Sequence, residues 1–170
     1  MKKFLSLLLL WIIFGLSLAG CSDSKEFKKE GVTITLDSSW SEVETPYAKV
    51  FYQSSKAAFM VNKENPSDFV GYTFFNDKEH PSKYGDLVLT ANNAKLDGKS
   101  VSSTDEKTNN GDYFAYASYD NVVNGIACRY LLVVMYGKED LYCMNFYCAK
   151  SDFESSYDTF LSYAKTIVVE

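Results

Sequence analysis

The dipeptide Asn124-Gly125, set between two long apolar runs, constrains this chain more than any other feature. A two-residue Asn-Gly connection selects a type I′ turn, because both turn positions need positive φ. The turn then fixes a register. Val123 opposes Ile126, and outward from it Tyr119 faces Tyr130, Ala117 faces Leu132, Ala115 faces Val134 and Tyr113 faces Tyr136. On the opposite side Ser118 meets Leu131, Tyr116 meets Val133 and Phe114 meets Met135, while Asp120 falls opposite Arg129 as an opposite-charge cross-strand pair. Both faces of this hairpin are largely apolar. A sheet wet on one side would alternate apolar and polar residues. The chain must therefore supply cover for two faces.

Amphipathic helices are the available material. In residues 82–96, Tyr84, Leu87, Val88, Ala91 and Ala94 share one helical face, and Pro81 stands near the start, where proline is tolerated. Near the end of the sequence, Ser151 and Glu154 form a capping-box signature. Phe153, Tyr157, Phe160, Leu161 and Ala164 follow at helical spacing. Strands are expected at residues 32–36, 50–53, 57–61 and 166–169, with a further run of strands starting at residue 101. Asn110-Gly111 gives a second two-residue turn signal. Residues 69–75 read as a strand or a packed loop. The sum is an α+β chain: a three-layer α/β/α sandwich, mostly antiparallel, with helices on both faces.

The strand after Tyr136 admits two registers. If the loop pairs Tyr136 with Leu141, Asn145 shares a layer with Tyr130 and Leu132, a poor core choice. If Tyr136 instead opposes Asp140, Leu132 meets Met144, Tyr130 meets Phe146 and Cys128 lies opposite Cys148. The second packs better, and both registers stay open. The second makes Cys128–Cys148 a candidate disulfide, with Cys143 unpaired on the other face. The competing reading is three small buried hydrophobes, a common role of free cysteine.

The first twenty-one residues, MKKFLSLLLLWIIFGLSLAGC, hold a basic start (Lys2, Lys3), an apolar core and Leu18-Ala19-Gly20-Cys21. This resembles a bacterial lipoprotein signal with its lipobox. The resemblance implies cleavage between Gly20 and Cys21, a diacylglyceryl group on the Cys21 sulfur and palmitate as acyl chain. A spanning helix needs ~20 apolar residues, more than the segment supplies. Two or more acyl chains hold a protein stably at a membrane. The expected organisation is a signal peptide at 1–20, a lipidated tether at 21–30 and one globular domain at 31–170. The nine residues from Ser22 to Glu30, eight of them polar, would span roughly 17 Å as a flexible chain. Losing Lys2 and Lys3 leaves 15 basic against 22 acidic residues, a net −7 where the whole sequence has −5. Either value argues against a nucleic-acid footprint.

A short opening strand near a tryptophan, a long antiparallel meander, a capped helix and a terminal Ile167-Val168-Val169 strand together resemble the PsbP-type fold. That fold is shared by a photosystem extrinsic subunit, a Ran-binding transport factor and bacterial DcrB-like lipoproteins. The family's opening strand usually ends in Leu-Pro; here Leu36 precedes Asp37. The resemblance covers residues 31–170 and implies a binding or assembly factor. Fold does not by itself carry function.

A search for catalytic constellations finds little. Gly98-Lys99-Ser100 ends like a phosphate-binding loop, but Asn93 stands where its first glycine belongs. Ser162-x-x-Lys165 lacks the companion motifs of a penicillin-binding enzyme and reads as a solvated helix flank. His80, the single histidine, is a general-base candidate without a partner motif. The acid pairs Asp105-Glu106, Glu139-Asp140 and Asp152/Glu154 sit at turns or helix starts, and no calcium-loop pattern occurs. No cofactor and no metal is expected. The expectation is a non-enzymatic binding or assembly module of the cell envelope, anchored by lipid on the extracytoplasmic face of the membrane, its partner an unidentified envelope protein or ligand. The alternative is a lipoprotein that binds a small molecule or cell-wall glycan, with some of the thirteen tyrosines lining the site. A hydrolase using His80 ranks third.

Overall fold

In chain order the elements are β1 (Ser24–Lys29), β2 (Val32–Asp37), β3 (Ser41–Glu42), β4 (Val50–Gln53), β5 (Ala57–Glu64), α1 (Ser82–Ala91), β6 (Lys95–Leu96), β7 (Lys99–Ser100), β8 (Thr104–Lys107), β9 (Tyr113–Val123), β10 (Ile126–Tyr136), β11 (Leu141–Ala149), α2 (Phe153–Ala164) and β12 (Val168–Val169). The computed structural model describes residues 23–170 apart from Tyr47 and Val70. Gly20 and Cys21 lie outside the described residues. A nine-stranded sheet runs β3-β4-β5-β11-β10-β9-β6-β7, with β8 also on β9; β1, β2 and β12 form a separate three-stranded sheet.

The β9–β10 hairpin has the register that Asn124-Gly125 dictates, from Val123 opposite Ile126 to Phe114 opposite Met135. Asn124 and Gly125 both take positive φ, 51° and 82°, values that a β-branched residue would resist. Asn110-Gly111 differs. Only Gly111 turns left-handed (φ 90°), and a longer loop closes where the Thr108 N–H donates to the Asp112 carbonyl.

Opposite sides of the large sheet pack into different cores. One side joins Phe59, Phe114, Leu131, Val133, Met144 and Phe146 to Phe153, Phe160 and Ala164 of α2. The small sheet completes that cover with Val32, Ile34 and Leu36, so strands as well as a helix close this face. The other side joins Ala115, Ala117, Leu132, Val134 and Cys143 to Tyr84 and Leu89 of α1. At Gly85 an added Cβ would lie 2.6 Å from the Ser103 hydroxyl and 3.3 Å from Val134. The missing side chain lets α1 settle close to the sheet.

Four expectations need correction. The segment expected to be a flexible tether contains β1, in register with β2 from Ser24–Asp37 to Lys29–Val32. Phe27, buried and 4.7 Å from the Tyr52 ring, secures it. The first helix ends at Ala91, not near residue 96. Asn93 adopts φ 48° and the Ala94 N–H reaches back to the Leu89 carbonyl, an Asn-type left-handed helix stop. Residues 95–100 form a hairpin instead. The helix also rolls: Tyr84, Gly85 and Leu89 are buried, whereas Ala91 is exposed. The capping box is not made, for Asp152 is the N-cap of α2 and Glu154 accepts a hydrogen bond from Arg129 instead.

The fourth correction is the third-strand register. Tyr136 pairs with Leu141, Leu132 with Asn145, Arg129 with Cys148 and Cys128 with Ala149. Cys128 and Cys148 therefore project from opposite faces, and they and Cys143 are buried free thiols. The preference for the other register treats Asn145 as misplaced in a core. It is buried, and it is hydrogen-bonded.

Candidate functional site

Because α1 stops early, it covers only part of its face of the sheet. Its carboxyl-terminal half and the strands beside it enclose a cleft of about 780 Å³. Ligand sites typically fall between about 300 and 1,000 Å³. The walls are Leu87, Val88 and Ala91 on the helix and Phe69 opposite; the floor is Met60, Asn62, Cys143 and Asn145 on β5 and β11. Sheet alternation aims these floor residues one way: Asn62 pairs with Cys143 and Met60 with Asn145.

Polar groups converge on this cleft. Asn145 is 4% exposed, and its side-chain oxygen accepts a hydrogen bond from the Tyr119 hydroxyl at 3.0 Å. At the other end the Tyr84 hydroxyl donates to Glu64 at 2.8 Å. Asn92, Asn93 and Asn121 complete a rim of amides. An amide offers donors and acceptors at once; the two carboxylates on the lining, Glu64 and Asp120, are engaged by Tyr84 and by Arg129 and Lys150, so the lining suits a neutral ligand with many hydrogen-bonding groups. Burial pushes the Cys143 thiol up to about 12 and raises Tyr119 above its ordinary range. Both therefore stay protonated at neutral pH.

Tyr119 and Tyr130 border the cleft. Tyr119 stacks on Tyr130 at 5.0 Å, and Tyr130 stacks on Tyr147 at 4.6 Å, in one row across β9, β10 and β11. Tyr130 is only 4% exposed. The rings spend their faces on one another.

The other polar concentration is an ion cluster across the sheet. Buried Arg129 donates to Asp120 and Asp97, each at 2.7 Å, and to Glu154 at 3.1 Å; Lys150 meets Asp97 and Asp120, both at 2.8 Å. Burial acts to raise the Asp120 carboxyl, but hydrogen bonds from Arg129 and Lys150 outweigh it and hold the group far below its ordinary value. The cluster ties the β6–β7 hairpin and the start of α2 to the sheet.

The sequence candidates fall elsewhere. His80 is exposed and paired with Asp77 at 2.8 Å; that hydrogen bond raises its pKa. The Ser162 hydroxyl donates to the Thr159 carbonyl, and Lys165 reaches Glu106. Asp97-Gly98 is the turn of the β6–β7 hairpin. Asp105 accepts from the Ser82 N–H and hydroxyl, capping α1, and Asp140 pairs with Lys63. Among the described residues no cluster of three or more metal-ligating side chains occurs. The cleft residues Asn62, Asn145 and Tyr119 escape a reading of the sequence. Their one signal is a polar residue inside the apolar run 141–148.

Several solved structures share this fold. PsbP (CyanoP) from Synechocystis sp. PCC 6803 superposes with a TM-score of 0.63 at 14% identity, covering 91% of this chain and 96% of that one. The Ran-binding protein Mog1p of Saccharomyces cerevisiae gives 0.54 at 10% identity, with 87% and 96% covered. A Bacteroides thetaiotaomicron protein gives 0.52 at 14% identity, with 86% and 48% covered. No protein-family model and no curated protein matches the sequence. Identities this low define a fold alone: PsbP-like, a mostly antiparallel sheet with two helices.

Proposed function

We propose that this chain is a lipid-anchored, extracytoplasmic binding module that works without catalysis and takes an uncharged, polar ligand in the cleft beside α1. The observation that carries the reading is the buried amide floor, Asn145 held by Tyr119, beneath a cleft of about 780 Å³. A dry core has no use for such a floor, since burying polar groups costs stability unless they are hydrogen-bonded. Support for the anchor is Leu18-Ala19-Gly20-Cys21, which resembles a bacterial lipoprotein lipobox. Support for a module without chemistry is that His80, Ser162, Lys165 and the acid pairs are engaged in surface pairs, caps and turns. In our reading the molecule is a thin three-layer α/β/α sandwich, its α1 layer left short to open the site. The glycan alternative keeps the same cleft; it asks for exposed aromatic faces, and here the tyrosines stack on each other.

Two measurements test the two halves. Intact mass of membrane-extracted protein is expected to begin at Cys21 with added diacylglycerol, and Cys21→Ser is expected to leave the membrane fraction. For the cleft, thermal shift with neutral amides, N-acetylated sugars and capped dipeptides is expected to raise the Tm of wild type. Asn145→Leu abolishes that response. A panel without any shift overturns the cleft assignment.

A further inference from the structure

The tip of the β9–β10 hairpin carries the two most exposed large apolar side chains among the described residues. Val122 and Ile126 are 65% and 60% exposed, Val123 adjoins them, and residues 121–127 carry no charge in a chain of net −5. Past the Cys128–Ala149 pair, β11 has ended, so the tip is a two-stranded ribbon standing clear of the sheet. Beside it lies a hollow of about 330 Å³ lined by Phe51, Lys56, Ala57, Val123, Ile126 and Cys128.

The start of the described chain lies at the same end. The Asp23 carbonyl accepts the Ser38 N–H, and Ser24 pairs with Asp37. Three residues on from Ser38, Ser41 pairs with Gln53, in a row that continues through Ala58, Tyr147, Tyr130 and Tyr119, five residues short of Asn124. The other end of β2 belongs to the far end of the sheet, where Glu170 bonds Gly31 and Lys138 bonds Glu170. The tip thus projects about 17 Å beyond the row near Asp23, at about 3.3 Å per residue. Cys21 is two residues before Asp23, a reach of about 7 Å.

From this geometry we infer that the Val122–Val123/Ile126 tip is a second membrane contact, dipping into the bilayer that holds the Cys21 lipid. The inference rests on the lipoprotein reading for its anchor. A tether of two residues leaves the domain no room to stand off; the hairpin tip itself, residues 121–127, is uncharged and apolar with Lys56 beside it, and behind it Asp97 and Asp120 are paired with Arg129 and Lys150. Lysine beside an apolar wedge suits anionic headgroups, and apolar side chains at this boundary are stabilised by burial in the acyl region. An anchor and a wedge at one end hold the sheet upright and stop the cleft from tumbling.

The test uses full-length lipidated protein in vesicles of phosphatidylethanolamine and phosphatidylglycerol carrying brominated acyl chains. Ile126→Trp is compared with Glu139→Trp on the far loop, and wild type, with Trp40 buried, gives the baseline. The indole introduced by Ile126→Trp is expected to blue-shift and lose emission to the bromines, while the one introduced by Glu139→Trp does neither. Folding is checked by near-ultraviolet circular dichroism. Unquenched emission from Ile126→Trp in vesicle-bound, folded protein overturns the wedge and leaves the anchor standing. Shielding of that position only in native envelopes, not in vesicles, assigns the tip to a protein partner and equally overturns it. Failure of the anchor itself has a different signature: wild type and Cys21→Ser then partition alike.

Discussion

The two sides of the large sheet differ in how they are closed. On the α2 side, Trp40, Phe59, Phe146, Phe160 and Tyr163 interlock, with Phe59 and Phe146 ring centres 4.4 Å apart. A helix and a second sheet seal it. On the α1 side one ten-residue helix covers part of the strands, and the uncovered part is floored by asparagines. The same strands supply both faces, so β-propensity is common to them. What separates the sealed face from the open one is the length of the covering element and the polarity of a few inward residues.

Breaking the sealed side has the largest expected effect. Phe146→Ala removes a fully buried ring and is expected to cost about 3–5 kcal/mol, read from denaturant unfolding; a loss below about 1 kcal/mol would mean that this face is not the main core. Arg129→Met comes next, at about 2 kcal/mol for its charge-assisted hydrogen bonds. Because the folded Asp120 carboxyl is held below its ordinary value, its contribution is full above about pH 4 and fades as pH falls further. Wild-type stability should therefore drop more steeply than that of Arg129→Met as pH falls from about 4 to about 2, and parallel profiles would refute the coupling. On the open side, Asn145→Leu strands the Tyr119 hydroxyl and is expected to cost about 1–2 kcal/mol. The double variant Tyr119→Phe/Asn145→Leu recovers most of it, because both polar partners are then gone; an additive loss would deny the pairing. The smallest effect is one of rate. Cys143, with its thiol pushed up to about 12 by burial, should react with disulfide reagents at mildly alkaline pH only on unfolding. The unfolded protein should then yield three thiols from Cys128, Cys143 and Cys148 without reductant.

Local signals are readable wherever chemistry forces a backbone shape. Asn124-Gly125 alone predicts every pair along the longest hairpin, and the spacing from Phe153 to Ala164 predicts the sealed face. Reading falters where a short-range rule competes with a tertiary one. Asn93 and Asp97-Gly98 outbid the apolar period that carries α1 to residue 96. Phe27, a single ring, converts a polar-looking lead into a strand. Asn145 looks like an argument against its own register, because burial of an amide is disfavoured until a partner is known, and Tyr119 is twenty-six residues away. The site is hidden for that reason: its floor consists of residues that a pattern-based core excludes.

The pairing of Val32 with Val169 has a bearing on how the chain comes into being. Synthesis runs from the amino terminus, so β1 and β2 emerge first and wait more than a hundred residues for β12. The hairpins between them form locally and early, whereas the cover over Phe146 closes only when the last residues arrive. Until then the aromatic face lies open to water and to other chains. A ribosome releasing this protein hands over an unsealed sheet, and the final two-strand closure is the step at which it becomes resistant to aggregation and to proteases.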